Sequence, residues 1–431
     1  MKEIKVGILG YGTVGKGVVE VLTNNALEIS RRTGYEIQIK AVARRNWQGV
    51  NTDALSFKAT TNPEEITQDP EISIVIELMG GIEPAYSLIS QALKNKKQVI
   101  TANKALIAKK GQELFALARE NKVNLSFEAS VAGGVPVIKV LREGLSANEI
   151  QSVAGIINGT CNFILTAMSQ KGADFGEVLK EAQELGYAEA DPSFDIDGID
   201  AAHKITILAS LAYGIPLQFD KVSIEGIREI SATDIQTAKE LGYVIKHLGM
   251  AVRRNNGVEI RVHPALVKEY RMLANVKGVM NAVEIEGNAI GKSLYYGAGA
   301  GSLPTASAVV ADLIDDLRDI QLNNAAFGYN KPLDHNALPV LEPKDFITAN
   351  YLRINVYDEV GVLAKITKIL AENQISIDSL IQKTELKKDE VIPLIILTNS
   401  VKESSLIKAI ADIENMDKTV GKVRRIRVEH F

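Results

Sequence analysis

A single cysteine, Cys161, stands among 431 residues, so no internal disulfide framework holds this chain and a reducing compartment suits it. The five histidines show no metal-ligand spacing, which argues against a zinc centre. Long hydrophobic runs are also missing: the longest, such as residues 205–216, are too short to cross a bilayer. The chain passes from Lys2 straight into a short apolar strand, without the layout of a secretory signal, so a cytoplasmic location is expected. A net charge of −4 with no basic stripe removes the electrostatic case for nucleic acid or an anionic membrane surface. The remaining composition is that of an ordinary globular protein, long enough for two or three domains.

The first motif is a glycine turn. Residues 4–9 (Ile-Lys-Val-Gly-Ile-Leu) read as a buried strand, followed by Gly10-Tyr-Gly12-Thr-Val-Gly15 and a helix through Val18, Val19, Val21 and Leu22. Strand, glycine fingerprint and helix in that order predict a dinucleotide site, with a Gly-rich turn that binds nothing as the alternative. Gly10 permits the tight turn, Gly12 lets the backbone approach a pyrophosphate, and Gly15 lets the helix close on the strand. The helix N-terminus then meets the anion with free N–H groups. The second strand, residues 37–43, ends in Arg44-Arg45 where an NAD site usually carries an acid for the ribose. Guanidinium groups suit a 2′-phosphate, so NADP is expected ahead of NAD, with NAD left open. Further strands over residues 72–78, 98–101 and 123–129, with a helix near residues 84–94, predict a doubly wound parallel α/β sheet. Lys104 falls at a strand's C-terminal end, the edge where such sheets bind ligands; a solvated surface charge is the equal alternative. Residues 130–136 read as a flexible turn.

The second motif is acidic. Residues 186–204 carry Glu189, Asp191, Asp195, Asp197 and Asp200, which are expected to crowd toward Lys204. Asp200 and Lys204 are four apart, on one face of a helix, with the acid N-terminal to the base. A lysine among carboxylates can be tuned as a proton donor or acceptor. His203 points to another helical face. The plain alternative is an acidic loop with one surface ion pair.

These pieces together resemble the homoserine dehydrogenase family. The resemblance rests on Thr101-Ala-Asn-Lys104, Glu128-Ala-Ser-Val-Ala-Gly-Gly-Val-Pro136, Gly155-Ile-Ile-Asn-Gly-Thr160, the acidic run, Gly297-Ala-Gly-Ala-Gly301 and Pro304-Thr-Ala-Ser307. It implies NAD(P)-linked interconversion of L-homoserine and L-aspartate 4-semialdehyde, in threonine, methionine and isoleucine biosynthesis. Lys204 matches the catalytic lysine, and Lys104 a lysine near substrate and cofactor. Glu189 and Asp200 match residues that bind the homoserine amino group, with Asp195 a neighbouring carboxylate. Thr13, Val14 and Gly301 look like cofactor contacts. Glu128 and the carbonyls of Val131, Gly133 and Val135 match a monovalent-cation site, usually sodium. The rivals are another NADP-dependent semialdehyde oxidoreductase, with Cys161 as nucleophile, and a non-catalytic sensor of NADP and amino acids. Cys161, beside Phe163, Ile164 and Leu165, reads as packing.

The last third predicts strand (351–357), helix (362–372), strand (375–384), strand (391–398), helix (403–413) and strand (422–428), the ferredoxin-like order. Tyr351-Leu-Arg-Ile-Asn-Val-Tyr-Asp358 and Gly361-Val-Leu-Ala-Lys-Ile366 resemble an ACT domain. That resemblance implies an amino-acid effector, threonine by analogy, at the turn between Asp358 and Gly361; a module for assembly alone is the other option. Val360 stands where the family often has proline. The expected layout is a Rossmann nucleotide domain (1–136 and 305–330, returning through a helix over 305–317) and an inserted α+β substrate-binding and dimerisation domain (137–304). A linker (331–348) then leads to the ACT domain (349–431), in a homodimer or homotetramer.

Overall fold

A computed structural model describes residues 2–322, 338–382 and 391–429. Six strands, β1 (Lys2–Leu9), β2 (Tyr35–Ala43), β3 (Lys58–Thr60), β4 (Ile72–Glu77), β5 (Gln98–Thr101) and β6 (Leu125–Ser126), form a parallel sheet ordered β3-β2-β1-β4-β5-β6. In β4, Ile72, Ile74, Val75 and Ile76 are β-branched and buried, with side chains on both faces, as a parallel sheet covered by helices requires. The strand order reverses between β1 and β4, which opens a crevice at their C-terminal ends. The helices that shape the site are α1 (Thr13–Asn24), α2 (Lys104–Asn121), α3 (Gly159–Lys171), α4 (Ser193–Ile196), α5 (Ile199–Tyr213) and α6 (Ser302–Leu322), followed by α7 (Val362–Glu372) and α8 (Glu403–Glu414).

The second sheet has eleven strands among the described residues. It contains β7 (Ile150–Ile156), β8 (Ser223–Ile224), β9 (Tyr243–Arg254), β10 (Gly257–Lys268), β11 (Met280–Gly287) and β12 (Gly291–Ala298), then β13 (Ile347–Tyr357), β14 (Ile377–Gln382), β15 (Val391–Thr398), β16 (Val401–Lys402) and β17 (Arg424–Glu429). Its main path runs β12-β11-β7-β9-β10-β17-β13-β15-β14, with β8 on β10 and β16 on β13. The C-terminal ferredoxin-like set therefore continues the middle sheet instead of standing apart from it. The seam is a parallel pairing of β10 with β17: Ala265 with Arg427, Leu266 with Val428, and Val267 with Glu429. Leu266, Tyr351, Ile426 and Val428 join Ile164 and Leu165 of α3 in one core. Each such leucine or isoleucine contributes roughly 1.5–3 kcal/mol by leaving water.

Several elements differ from the sequence-based expectation. The strand over 123–129 shrinks to Leu125–Ser126, because the chain turns at Phe127: Glu128 N–H donates to Asp312 Oδ2 (2.7 Å) and Ser130 N–H to Phe127 O (3.0 Å). Residues 130–136 are no flexible turn; Val131, Ala132, Gly133 and Val135 are buried, and a Cβ on Gly133 would lie 2.6 Å from Gly299 O. α6 starts at Ser302, earlier than expected, and lies on α1 through Ser302 Oγ donating to Thr13 O (2.8 Å). β13 starts at Ile347, and Val340 already bridges to Val258 of β10. Residues 323–330 of the expected return and 331–337 of the expected linker lie outside the described residues, as do 383–384 of the second C-terminal strand.

Candidate active site

α5 is buried along Asp200 to Ser210, a helix that is apolar nearly all round yet carries an acid and a base one turn apart. It starts sharply because Gly198, at φ +88°, reverses the chain after α4 in a conformation that suits glycine. Asp200 Oδ2 accepts from Lys204 Nζ (2.7 Å) and Asn158 Nδ2 (2.8 Å), while Oδ1 pairs with Lys104 Nζ (2.9 Å). Lys204 Nζ also donates to Ile157 O (2.7 Å). Lys104 is the first residue of α2, set in place by Asn103, whose Oδ1 accepts from Leu106 N–H (3.1 Å). One buried carboxylate thus stands between two lysines from different parts of the chain.

Their electrostatics diverge. Burial pulls the Lys204 ammonium below the ordinary lysine value against the attraction of Asp200, and the like charge of Lys104 adds to the fall. Burial also works against Lys104, but there the attraction of Asp200, with help from Asp195 and Glu189, wins and raises its value. Asp200 resists burial through Lys204 and Lys104 and is held well below the usual carboxylate range. Of the two lysines, Lys204 is thus the one that gives up its proton more readily, and Lys104 the one that holds it more firmly.

The five acids do not all converge. Asp195 does, through Asn158, whose Nδ2 donates to Asp195 Oδ1 (2.8 Å) as well as to Asp200; Thr160 Oγ1 lies 3.1 Å from Asp195 Oδ2. Glu189 is exposed on the turn ahead of α4. Asp191 instead accepts from Ser193 N–H (3.1 Å), and Asp197 pairs with Arg228, so the expected crowding of all five around Lys204 loses these two; Asp195 and Asp200 join the site, and Glu189 acts on Lys104. Asn158 and Thr160 carried no role in the sequence reading. Their cue was the Asn-Gly-Thr turn opening α3, where Asn158 Oδ1 caps Cys161 N–H (2.8 Å).

Cys161 is fully buried, with its thiol pushed up by burial and then by the charges of Asp195 and Asp200; Sγ donates to Asp195 O (3.3 Å). Full enclosure and a thiol held protonated fit packing better than nucleophilic attack. His203 is stacked on Phe219 (4.4 Å) and pushed down to about 4 by burial and then by Lys109, so it is neutral at pH 7.

The glycine turn follows β1. Gly10 has φ +110°, and a Cβ there would lie 2.7 Å from Leu78 O; a Cβ on Gly15 would lie 2.2 Å from Gly10 O. A Cβ on Gly12 would meet nothing within 4 Å, so this backbone faces open space. That space is a cleft of ≈ 500 Å³ lined by Gly10, Gly12, Arg44, Arg45, Leu78 and Gly80, among others. Thr13 and Val14 open α1 beside it, and Gly301 precedes α6. The open backbone at Gly12 and the two arginines fit a dinucleotide with a phosphorylated ribose. Sequence reasoning missed Glu77, buried at the end of β4, which accepts from Thr101 Oγ1 (2.6 Å) and Met79 N–H (2.7 Å) and so fixes the loops after β4 and β5 at the cleft.

Glu128 is buried, its carboxylate accepting from Ile138 N–H (2.9 Å) and Lys139 N–H (2.7 Å). Burial, with Asp312 adding, pushes it up to about 8, and burial pushes Asp312 up to about 6. Such a pair of desolvated acids is a place where a bound cation lowers the cost of burial. Among the described residues, no group of three or more His, Cys, Asp or Glu side chains is arranged to hold a metal ion.

Comparison with known proteins agrees with this geometry. Residues 136–314 match the family described as homoserine dehydrogenase, residues 10–128 its NAD-binding domain, and residues 350–415 the ACT domain. The homoserine dehydrogenase of Pseudomonas aeruginosa is 51% identical, with 100% of both chains covered. The crystal structure of a homoserine dehydrogenase from Thiobacillus denitrificans matches with a TM-score of 0.93 and 52% identity, over 100% of this chain and 99% of that one. A hyperthermophilic archaeal homoserine dehydrogenase, solved in complex with NADPH, matches at TM-score 0.65 and 28% identity over 75% of this chain and 99% of that one. The chain belongs to the homoserine dehydrogenase family of oxidoreductases.

Proposed function

We propose that the chain interconverts L-homoserine and L-aspartate 4-semialdehyde, with NADP as the preferred hydride carrier and NAD as a poorer one. The observation that carries this is the buried Asp200 between two lysines whose proton affinities are driven in opposite directions. Groups pushed apart in this way divide acid–base work from charge stabilisation. In oxidation the neutral Lys204 amine takes the hydroxyl proton; in reduction its ammonium returns a proton to the carbonyl oxygen. Lys104 remains cationic and offers charge where the oxygen becomes anionic. Asp200, Asp195 and the open carboxylate of Glu189 supply the negative charge that a substrate ammonium needs. The nicotinamide, when bound, gives or accepts the hydride.

Gly10, Gly12, Thr13, Val14, Gly15, Lys104 and Gly301 would hold the dinucleotide, with Arg44 and Arg45 on the 2′-phosphate. A monovalent cation, sodium by preference, at Glu128 with the carbonyls of Val131, Gly133 and Val135 is supported by the raised values of Glu128 and Asp312. Threonine feedback is assigned to the turn between Asp358, which accepts from Gln382 Nε2 (3.1 Å), and Gly361. Assembly as a homodimer or homotetramer would cover β12, an edge strand with Tyr296 exposed and Tyr270 and Met272 close in the fold. No helix among the described residues is long and apolar enough to cross a membrane, and the buried free thiol suits a cytoplasmic enzyme of threonine, methionine and isoleucine synthesis.

The test is NADP- and NAD-dependent oxidation of L-homoserine by wild type and Lys204→Ala. We expect the variant to bind NADP normally and lose about 10²–10⁴-fold in kcat. Wild-type oxidation should rise with pH along a limb below the ordinary lysine value of about 10.4, with the reverse trend for aldehyde reduction. A wild type that binds NADP yet leaves homoserine unchanged would overturn the proposal.

A further inference from the structure

Residues 224–230 lie between the acidic turn of the site and the C-terminal strand β17, and they are tied to both. Toward the site, Ile227 N–H donates to Ile196 O (2.8 Å). Gly226 presses so close to α4 that a Cβ would stand 2.3 Å from Ile196 O and 2.7 Å from Asp197 Cα. Arg228 pairs with Asp197 and donates to Ser193 Oγ (2.8 Å). The same turn carries Asp195 and leads through Gly198 into Asp200 and Lys204.

Toward the C-terminus, Glu225 accepts from Arg425 Nη2 (2.8 Å) and Arg427 Nη1 (2.7 Å). Both guanidiniums also donate to Glu403 at the start of α8, and Arg424 pairs with Glu229. Glu225 N–H is fixed to Val262 O of β10 (2.8 Å). Arg427 and Glu403 are almost wholly buried, and Arg427 Nε and Glu403 Oε2 have no hydrogen-bond partner among the described residues. A network that buries charge and leaves donors and acceptors open is a poor device for stability alone. Burial works against the Glu225 carboxylate, but Arg427 and Arg425 outweigh it and keep it ionised.

We propose that Glu225, gripped by Arg425 and Arg427, is a positioning residue for the substrate site: it holds residues 224–230 against α4 and so fixes the placement of Asp195 relative to Asp200 and Lys204. The C-terminal unit is then a structural part of the substrate site, whether or not an effector binds to it. The identity of the substrate rests on the function proposed above, while the clamp itself rests on the packing. Among the described residues, none of the network's hydrogen bonds or ion pairs reaches the glycine turn, so its effect falls on substrate and spares the dinucleotide.

The test compares the full-length wild type with Glu225→Gln, an isosteric change that removes the charge shared by the two arginines. A misplacement on the order of 1 Å at a reacting group can cost about a hundredfold. We expect the KM for homoserine to rise at least tenfold while the KM for NADP stays within twofold. Amide hydrogen exchange in residues 193–200 should accelerate, a readout that needs no substrate. An unchanged homoserine KM in a wild type that turns homoserine over, or unchanged exchange in residues 193–200, would overturn the clamp. Failure of the wild type to use homoserine would instead overturn the substrate assignment, with exchange still deciding the clamp. Should Glu225→Gln not fold, Arg425→Lys, which keeps the charge and loses the fork, is read in the same two ways.

Discussion

Replacing Asp200 by asparagine (D200N) keeps the shape of the side chain and removes the charge that Lys104 and Lys204 share. Breaking a buried ion pair from one side costs about 3–5 kcal/mol, because the remaining charge stays in the interior alone. Lys204 is the stranded group; the Lys104 side chain is 35% exposed and keeps water. At about 2–4 °C per kcal/mol for a unit of 150–250 residues, the melting temperature should fall by roughly 6–20 °C. This loss must depend on pH. The folded-state value of Lys204 lies below that of an ordinary lysine, and Asp200 is the neighbour that raises it, so D200N lowers it further. Between the folded and unfolded values the unfolded chain binds more protons, and stability climbs by up to about 1.4 kcal/mol per pH unit. The deficit of D200N is therefore largest near neutrality and shrinks as the pH climbs toward the ordinary lysine range. It shrinks again in strong acid: the folded value of Asp200 is depressed, so its contribution is present above its unfolded value and vanishes as the pH falls through the folded one. Scanning calorimetry of both proteins from about pH 5 to about pH 10 measures this, spanning the ranges where carboxylates and lysines titrate. A deficit under about 1 kcal/mol at neutrality, or one that stays flat toward alkaline pH, would refute the argument, since burial of an unpaired charge requires both.

Three other outcomes are expected. Gly12→Ala should leave the melting temperature without cofactor within about 1 °C and weaken NADP binding at least about tenfold, because its Cβ meets no protein atom and enters the cleft; Gly15→Ala, whose Cβ strikes Gly10 O, should unfold more readily even without cofactor. Removing both Arg44 and Arg45 as alanines should raise the KM for NADP by about tenfold or more, the worth of a charge-assisted bond, and leave the KM for NAD nearly unchanged, as steady-state kinetics with each cofactor will reveal. Cys161→Ser should retain homoserine oxidation within about threefold, since a serine hydroxyl can still donate to Asp195 O; complete loss in a folded variant would restore the nucleophile to consideration.

What could be read from the sequence was local. The glycine turn after β1 and the Asp200–Lys204 pair are set by spacing within a few residues, and both stand in the structure as their spacing implies. The C-terminal order of strands and helices was legible for the same reason: periodicity within each segment is strong, and the helix Val362–Glu372 has the expected ends. What was not legible depends on partners far along the chain. Asn158 reaches Asp200 across 42 residues, and nothing in a turn motif tells which carboxylates its amide will join. Asp197 looked like one more acid for Lys204 until Arg228, 31 residues on, drew it away. Glu77 reads as the polar end of an apolar strand; only the arrival of Thr101 beside it turns it into a loop anchor. The seam between β10 and β17 escaped because each strand alone is a complete pattern, and the pairing lies between them.

That seam also sets an order of events on the ribosome. Arg261 of β10 and Glu429 of β17 are 168 residues apart in the chain. During synthesis, β10 therefore emerges with β9 on one edge and only the two-residue β8 on the other, and its stretch Ala265–Val267 stays unpaired on that side until β17 follows. An apolar strand edge left waiting is a template for pairing with other chains, and contacts this distant in sequence form slowly. Truncation before β17 leaves that edge open permanently, so such fragments should aggregate while the complete chain stays dispersed. The last strand is thus the closing stitch of a sheet begun far upstream, and the middle of the molecule stays vulnerable until it is sewn.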